Sequence, residues 1–194
     1  MAERVFTVPN LMTVVRLLAI GVFLWLLLGP EDDNLALIAL VIAGITDFLD
    51  GFLARRLGQD SKVGRILDPV ADRLYVLAVV VGLAVRHVIP VWLAVALPLR
   101  DVLLLGLVPI LRTRGLTSLP VHYLGKAATF MVLFAFPLLL LAHDTGDVAA
   151  VARVFGWALA IWGTVVYWIA GAFYAGQVWR IARVTPRVRA SADV

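Results

Sequence analysis

The chain has no cysteine, so disulfides, thiolate zinc sites, iron–sulfur ligation and cysteine nucleophiles are excluded together. Histidine is scarce, with three scattered residues. Charge is scarce too: 15% of the 194 residues are charged, against roughly 25% in soluble globular chains. The small excess of base, a net +4, does not imply nucleic acid, because in so apolar a chain the position of the positive residues matters more than their sum. What fills the space is hydrocarbon, at 62% hydrophobic residues. The apolar blocks Val22–Leu28, Leu35–Ile45, Leu74–Val85, Val91–Leu99, Val102–Leu111, Ala127–Ala142 and Val148–Val178 exceed what one soluble core can hide.

Sparse punctuation divides these blocks into six expected membrane helices, over residues 10–28, 35–57, 63–85, 91–111, 122–142 and 148–181. Gly29-Pro30 closes the first, and the acidic turn Glu31-Asp32-Asp33-Asn34 supplies a cap for the second. The first span is read as retained, since no small-x-small cleavage site follows Leu28. At about 20 residues per span, 194 residues make a single all-α membrane domain, 1–194, with little left over. Eleven of the 17 basic residues (Arg4, Arg55, Arg56, Lys62, Arg65, Arg112, Arg114, Arg180, Arg183, Arg187 and Arg189) fall on the side shared by both termini, and Arg86 and Arg153 on the other. The positive-inside rule therefore places both termini in the cytoplasm; the plasma (inner) membrane is the expected location.

An Asp near hydrocarbon costs about 2.5–3.5 kcal/mol on insertion scales, so intramembrane acids are functional candidates. Asp47 and Asp50 are spaced i, i+3 near the cytoplasmic end of the second span, and Asp68 and Asp72 are spaced i, i+4 in the third. The short loop between these spans makes them antiparallel neighbours, so the pairs can converge. Converging carboxylates in a low dielectric cannot all stay ionised without cations. Carboxylates with no His or Cys select Mg²⁺, Mn²⁺ or Ca²⁺, and four are enough for two ions, the arrangement that serves phosphoryl and phosphodiester transfer. The plainer alternative is structural pairing with Arg55, Arg65 and Arg73. Gly51 and Ala54 keep the carboxylate face free of bulk, and Arg55 offers a fixed charge suited to a pyrophosphate. Gly64 fits close packing and ligand room equally well.

Together these residues spell D-x2-D-G-x2-A-R-x8-G-x3-D-x3-D over residues 47–72. At every fixed position the segment resembles the signature of the CDP-alcohol phosphotransferases. The resemblance implies a six-span membrane enzyme, usually a homodimer, that passes a substituted phosphate from a CDP-linked donor to an alcohol and releases CMP. It implies two divalent cations, Mg²⁺ or Mn²⁺, on Asp47, Asp50, Asp68 and Asp72. Asp72 would also act as general base, while Gly51, Ala54, Arg55 and Gly64 would line the CDP diphosphate site. The opening Val8–Arg16 is similar to the bacterial members whose donor is CDP-diacylglycerol. Ser118–Phe130, with Phe155-Gly-Trp157 through Tyr167-Trp168, resembles the actinobacterial cardiolipin synthases of the family, whose acceptor is phosphatidylglycerol. Members that make phosphatidylglycerol phosphate from glycerol 3-phosphate share the opening and much of the middle, so that acceptor stays open.

Arg100, Arg112 and Lys126 are candidate ligands for the acceptor's phosphate; bundle-stabilising pairs are the alternative for Arg100 and Asp101, and lipid-headgroup anchoring for Arg112 and Lys126. Arg100 and Asp101 are adjacent and therefore about 100° apart on a helix, which predicts a separate partner for each. The aromatic residues of the sixth span, Tyr167 among them, read as packing and interfacial anchors. Arg180, Arg183, Arg187 and Arg189 read as an anionic-lipid contact. A cation transporter with an acidic site is the competing class. It would show repeats or broken helices in corresponding halves, whereas these acids crowd into one hairpin.

Overall fold

The computed structural model describes residues 8–57, 64–114 and 123–184, and the side chains of 14–46, 73–111, 113–114 and 123–184. Among these residues every regular element is an α-helix: α1 Val8–Leu28, α2 Asp33–Leu57, α3 Gly64–Val85, α4 Val91–Arg112, α5 Tyr123–Leu141 and α6 Asp147–Val184. Each coincides with an expected helix to within three residues at either end. Three of them (α4 from Val91 to Leu111, α5 and α6) are long and apolar enough to cross a membrane within their described residues. Large apolar side chains such as Leu18, Trp25, Ile42, Val102 and Trp162 lie more than half exposed, the expected arrangement where lipid is the solvent. The protein is an integral membrane protein.

The helices pack as two compact units. In the first, Met1–Pro90 with Phe136–Arg153, α1 packs against both α2 and α3. Its buried stripe Ile20, Phe23 and Leu27 follows helical spacing, as do Ala36, Leu40 and Ala43 on α2 and Tyr75, Val79 and Leu83 on α3. Gly82 permits the close approach of α3 to α1, since a Cβ there would stand 3.0 Å from a methyl of Leu24 and of Leu27.

Local chemistry sets the turns. Asp32 caps α2 by accepting a hydrogen bond from the Leu35 amide at 3.0 Å, the role expected of the acidic turn. At the end of α3, His87 takes a left-handed conformation (φ 57°), and the amides of Val88 and His87 donate to the carbonyls of Leu83 and Ala84 at 2.9 and 3.0 Å. This 6→1, 5→2 pair closes the helix, and Pro90 prevents its continuation.

The second unit comprises Val91–Ala135 and Val154–Val194. Here α5 meets α6 where Gly163 removes bulk: a Cβ at that position would lie 3.0 Å from the Val132 Cγ2, 3.1 Å from the Met131 Cβ and 3.2 Å from the Val132 amide nitrogen. Thr164 satisfies its buried hydroxyl within α6 by donating to the Ala160 carbonyl at 2.7 Å. Pro98 and Pro109 inside α4 and Pro137 inside α5 each remove one backbone donor, which membrane helices accommodate through neighbouring groups.

Candidate functional site

The aspartate motif falls on two helices of the first unit. Asp47, Asp50, Gly51, Ala54 and Arg55 are positions in the C-terminal half of α2; Gly64 opens α3, and Asp68 and Asp72 follow in its first turns. Their side chains lie outside the described residues, as does that of Arg112. The flanking described residues fix the helix register. Continuing the Ala36, Leu40, Ala43 face of α2 at 100° per residue reaches positions 47, 50 and 54; running the Tyr75, Val79, Leu83 face of α3 backwards reaches 72 and 68. A long hydrogen bond from the buried Tyr75 hydroxyl to the Leu40 carbonyl, 3.5 Å, ties the two faces.

No group of three or more His, Cys, Asp or Glu side chains able to hold a metal occurs among the described residues. The donor set of the motif itself, four carboxylates without thiolate or imidazole, fits a hard divalent cation by its chemistry.

At the opposite ends of α2 and α3, three turns of the first unit meet. Arg86 donates to Glu31 and Asp33 at 3.0 Å each and to the Leu27 carbonyl at 3.2 Å, and Asp33 also pairs with the His143 Nδ1 at 2.8 Å. Arg153 donates to the Ala142 carbonyl at 3.0 Å. A cavity of about 230 Å³ lies beside this cluster, lined by Asn34, Leu37, Leu140 and Asp144 with the two paired residues. The Asp33 carboxylate is already occupied by Arg86 and His143.

In the second unit Asp101 has a partner of its own, Tyr167, as expected, while the structure corrects the expectation that adjacency keeps Arg100 and Asp101 from pairing. The Arg100 Nη1 lies 3.1 Å from the Asp101 Oδ1. The 100° argument follows Cβ directions, but an arginine is long enough to curl back across that angle, and Tyr167 of α6 holds it there. The Tyr167 hydroxyl donates to the same Asp101 oxygen at 2.7 Å, and its ring lies under the Arg100 guanidinium carbon at 4.1 Å. One turn further along α6, Gly171 admits the arginine stem: a Cβ there would stand 3.0 Å from the Arg100 Nε, which is buried without a hydrogen-bond partner. Tyr167 is thus more than a packing aromatic. An Asp inside a span calls for a donor, but Thr129, Thr164 and Tyr174 offer hydroxyls in the later spans as well, so the sequence does not single out Tyr167. Lys126 lies exposed on α5, its Nζ 5.9 Å from the Tyr123 ring centre, and is not brought to Arg100 by any described contact.

Comparison with known proteins bears on the motif. A family model described as CDP-alcohol phosphatidyltransferase matches residues 6–169. A cardiolipin synthase (CMP-forming) of Streptomyces coelicolor is 50% identical over 186 residues, covering 93% of this chain and 86% of its own. The cardiolipin synthase (CMP-forming) of Homo sapiens is 38% identical over 117 residues, 60% of this chain and 38% of its own. A CDP-diacylglycerol–glycerol-3-phosphate 3-phosphatidyltransferase of Rickettsia bellii is 30% identical over 164 residues, 84% of this chain and 86% of its own.

Proposed function

Because the chain belongs to the CDP-alcohol phosphatidyltransferase family, we propose that it transfers a phosphatidyl group from CDP-diacylglycerol to phosphatidylglycerol, giving cardiolipin and CMP. The observation that carries the reading is the intact eight-position motif on α2 and α3, inside a chain half identical to a CMP-forming cardiolipin synthase over most of its length.

In this reaction a free hydroxyl of phosphatidylglycerol attacks the phosphatidyl phosphorus; a new P–O bond forms, the P–O bond to the CMP phosphate breaks, and CMP leaves. Asp72 accepts the hydroxyl proton as general base. Arg55 holds the diphosphate, and Gly51, Ala54 and Gly64 leave it room against the helices. Asp47, Asp50, Asp68 and Asp72 hold two divalent cations, Mg²⁺ or Mn²⁺, which when bound supply the charge neutralisation that a diphosphate beside four carboxylates requires. Arg100, Arg112 and Lys126 receive the acceptor's phosphate.

The chain crosses the inner membrane six times as a homodimer, with both termini and the active site on the cytoplasmic side. The contacts of Arg86 and His143 with Asp33 support the alternation, because they gather the first, third and fifth turns at one end. The charge asymmetry supports the orientation. A second reading, phosphatidylglycerol phosphate synthesis from glycerol 3-phosphate, draws on the Rickettsia relative. Purified enzyme given CDP-diacylglycerol and each acceptor separately decides: cardiolipin and CMP from phosphatidylglycerol are expected. CMP released only with glycerol 3-phosphate would replace the acceptor and leave the family chemistry standing.

A further inference from the structure

Arg16 lies eight residues from the start of α1 at Val8, inside an apolar helix where a positive charge is unfavourable and marks a site by default. It is turned inward. Val14, Val15, Leu17 and Leu18 around it are exposed, whereas Arg16 is half-buried, with its Nε out of solvent, one turn before the buried stripe Ile20, Phe23 and Leu27. That stripe belongs to the helix that packs against both α2 and α3. The C-terminal ends of α1 and α3 lie together: Gly82 stands against Leu24 and Leu27, and Arg86 donates to the Leu27 carbonyl. Counted back from this contact, eleven residues lead from Leu27 to Arg16 and ten from Gly82 to Asp72, about three turns along each helix. The acids on these helices are few. α1 has none, and α2 and α3 carry Asp33, which Arg86 holds at the other end, and the four of the motif. Arg73, next to Asp72 in sequence, is exposed, so the arginine on the buried side comes from α1.

We propose that Arg16 is the aspartate motif's own counter-cation, a positioning residue that pairs with the carboxylates while no divalent cation is bound and gives them up when the cations enter. This rests on the reading of those aspartates as metal ligands and involves the first unit alone. Carboxylates gathered in a low dielectric repel one another unless a positive charge stands among them, and a guanidinium fixed on α1 holds them in place for the cations. The effect is reciprocal. A charge that stabilises the metal-free carboxylates lowers their affinity for metal by the same factor, so Arg16 sets how tightly the cations are held. Arg16→Gln removes the charge and keeps a polar side chain, and Arg16→Lys keeps the charge.

The test melts the full-length, detergent-solubilised protein and both variants in EDTA and in saturating Mn²⁺, and titrates each with Mn²⁺ through the paramagnetic resonance signal of the free ion. Arg16→Gln is expected to melt about 5–10 °C below wild type in EDTA and to recover most of that loss in Mn²⁺. It should also bind Mn²⁺ about tenfold more tightly, the scale of one unit charge removed near a cation in a partly screened site. Arg16→Lys should leave the Mn²⁺ affinity as in wild type. An arginine that merely packs would lower melting equally in both conditions on replacement by glutamine and leave Mn²⁺ affinity unchanged, and that result overturns the assignment. Should Arg16→Gln fail to fold, Asp72→Asn added to it decides: removing one carboxylate from the uncompensated group should restore a folded protein, and continued failure overturns the pairing. Wild-type protein that takes up no Mn²⁺ would be a failure of the metal reading instead, and the coupling of Arg16→Gln with Asp72→Asn in EDTA would still test Arg16.

Discussion

Asp33 and His143, 110 residues apart in sequence, face each other at 2.8 Å, and the same carboxylate holds Arg86 through its other oxygen. One short side chain at the start of α2 thereby joins the turns that follow α1, α3 and α5. Arg86 is the better buried member, with 13% of its side chain exposed against 48% for His143. It also satisfies the Leu27 carbonyl at the end of α1.

Arg86→Ala should therefore destabilise the protein by about 1–3 kcal/mol, since it removes the part-buried partner of Asp33 and the donor to the helix-terminal Leu27 carbonyl. His143→Ala should cost under about 1 kcal/mol, the scale of an exposed pair. Thermal unfolding of the detergent-solubilised variants checks the order. Equal losses would mean that the gathering of the turns does not run through Arg86.

Helix packing in the second unit gives a contrast between glycines. Gly163→Ala forces a methyl against the backbone nitrogen of Val132 and should cost about 1–3 kcal/mol. Gly106→Ala meets nothing within 4 Å and should change stability by less than about 0.5 kcal/mol. Comparable melting shifts in the two variants would contradict the close approach of α5 and α6.

Catalysis should require a divalent cation and all four motif aspartates. Asp72→Asn keeps size and hydrogen bonding but loses the basic oxygen, so turnover should fall by about 10²–10⁴ while CDP-lipid binding survives better. Release of CMP and binding of a fluorescent CDP-lipid measure the two separately. Near-normal turnover in Asp72→Asn, or activity in excess EDTA, would remove the mechanism.

Orientation is testable because the chain has no cysteine to mask a probe. A cysteine in place of Thr145, between α5 and α6, should react with an impermeant maleimide in intact cells, and one in place of Gln59 only after lysis. The reverse pattern would invert the topology.

Helix boundaries were legible in the sequence because each has a chemical stop or start: Gly29-Pro30 after α1, Asp32 before α2, Pro90 before α4. The candidate phosphate chemistry was legible for a different reason, the cost of carboxylates in a span, which leaves few explanations for four at helical spacing. The Arg100, Asp101 and Tyr167 contact was not legible. Helical-wheel reasoning treats a side chain as a direction from the axis, and the length of arginine defeats it; the third member comes from a helix 66 residues away. The Arg86, Asp33 and His143 cluster was missed for a related reason. Charge counting put Arg86 on the side away from the termini without saying which turns touch it.

α6 runs for 38 residues, Asp147–Val184. At 1.5 Å per residue it extends about 57 Å, nearly twice the ~30 Å hydrocarbon core of a bilayer. Tilted by 40°, the upper end of the usual range, it would still project about 44 Å and clear both headgroup layers. Longer acyl chains can therefore be accommodated along α6 by a change of tilt alone.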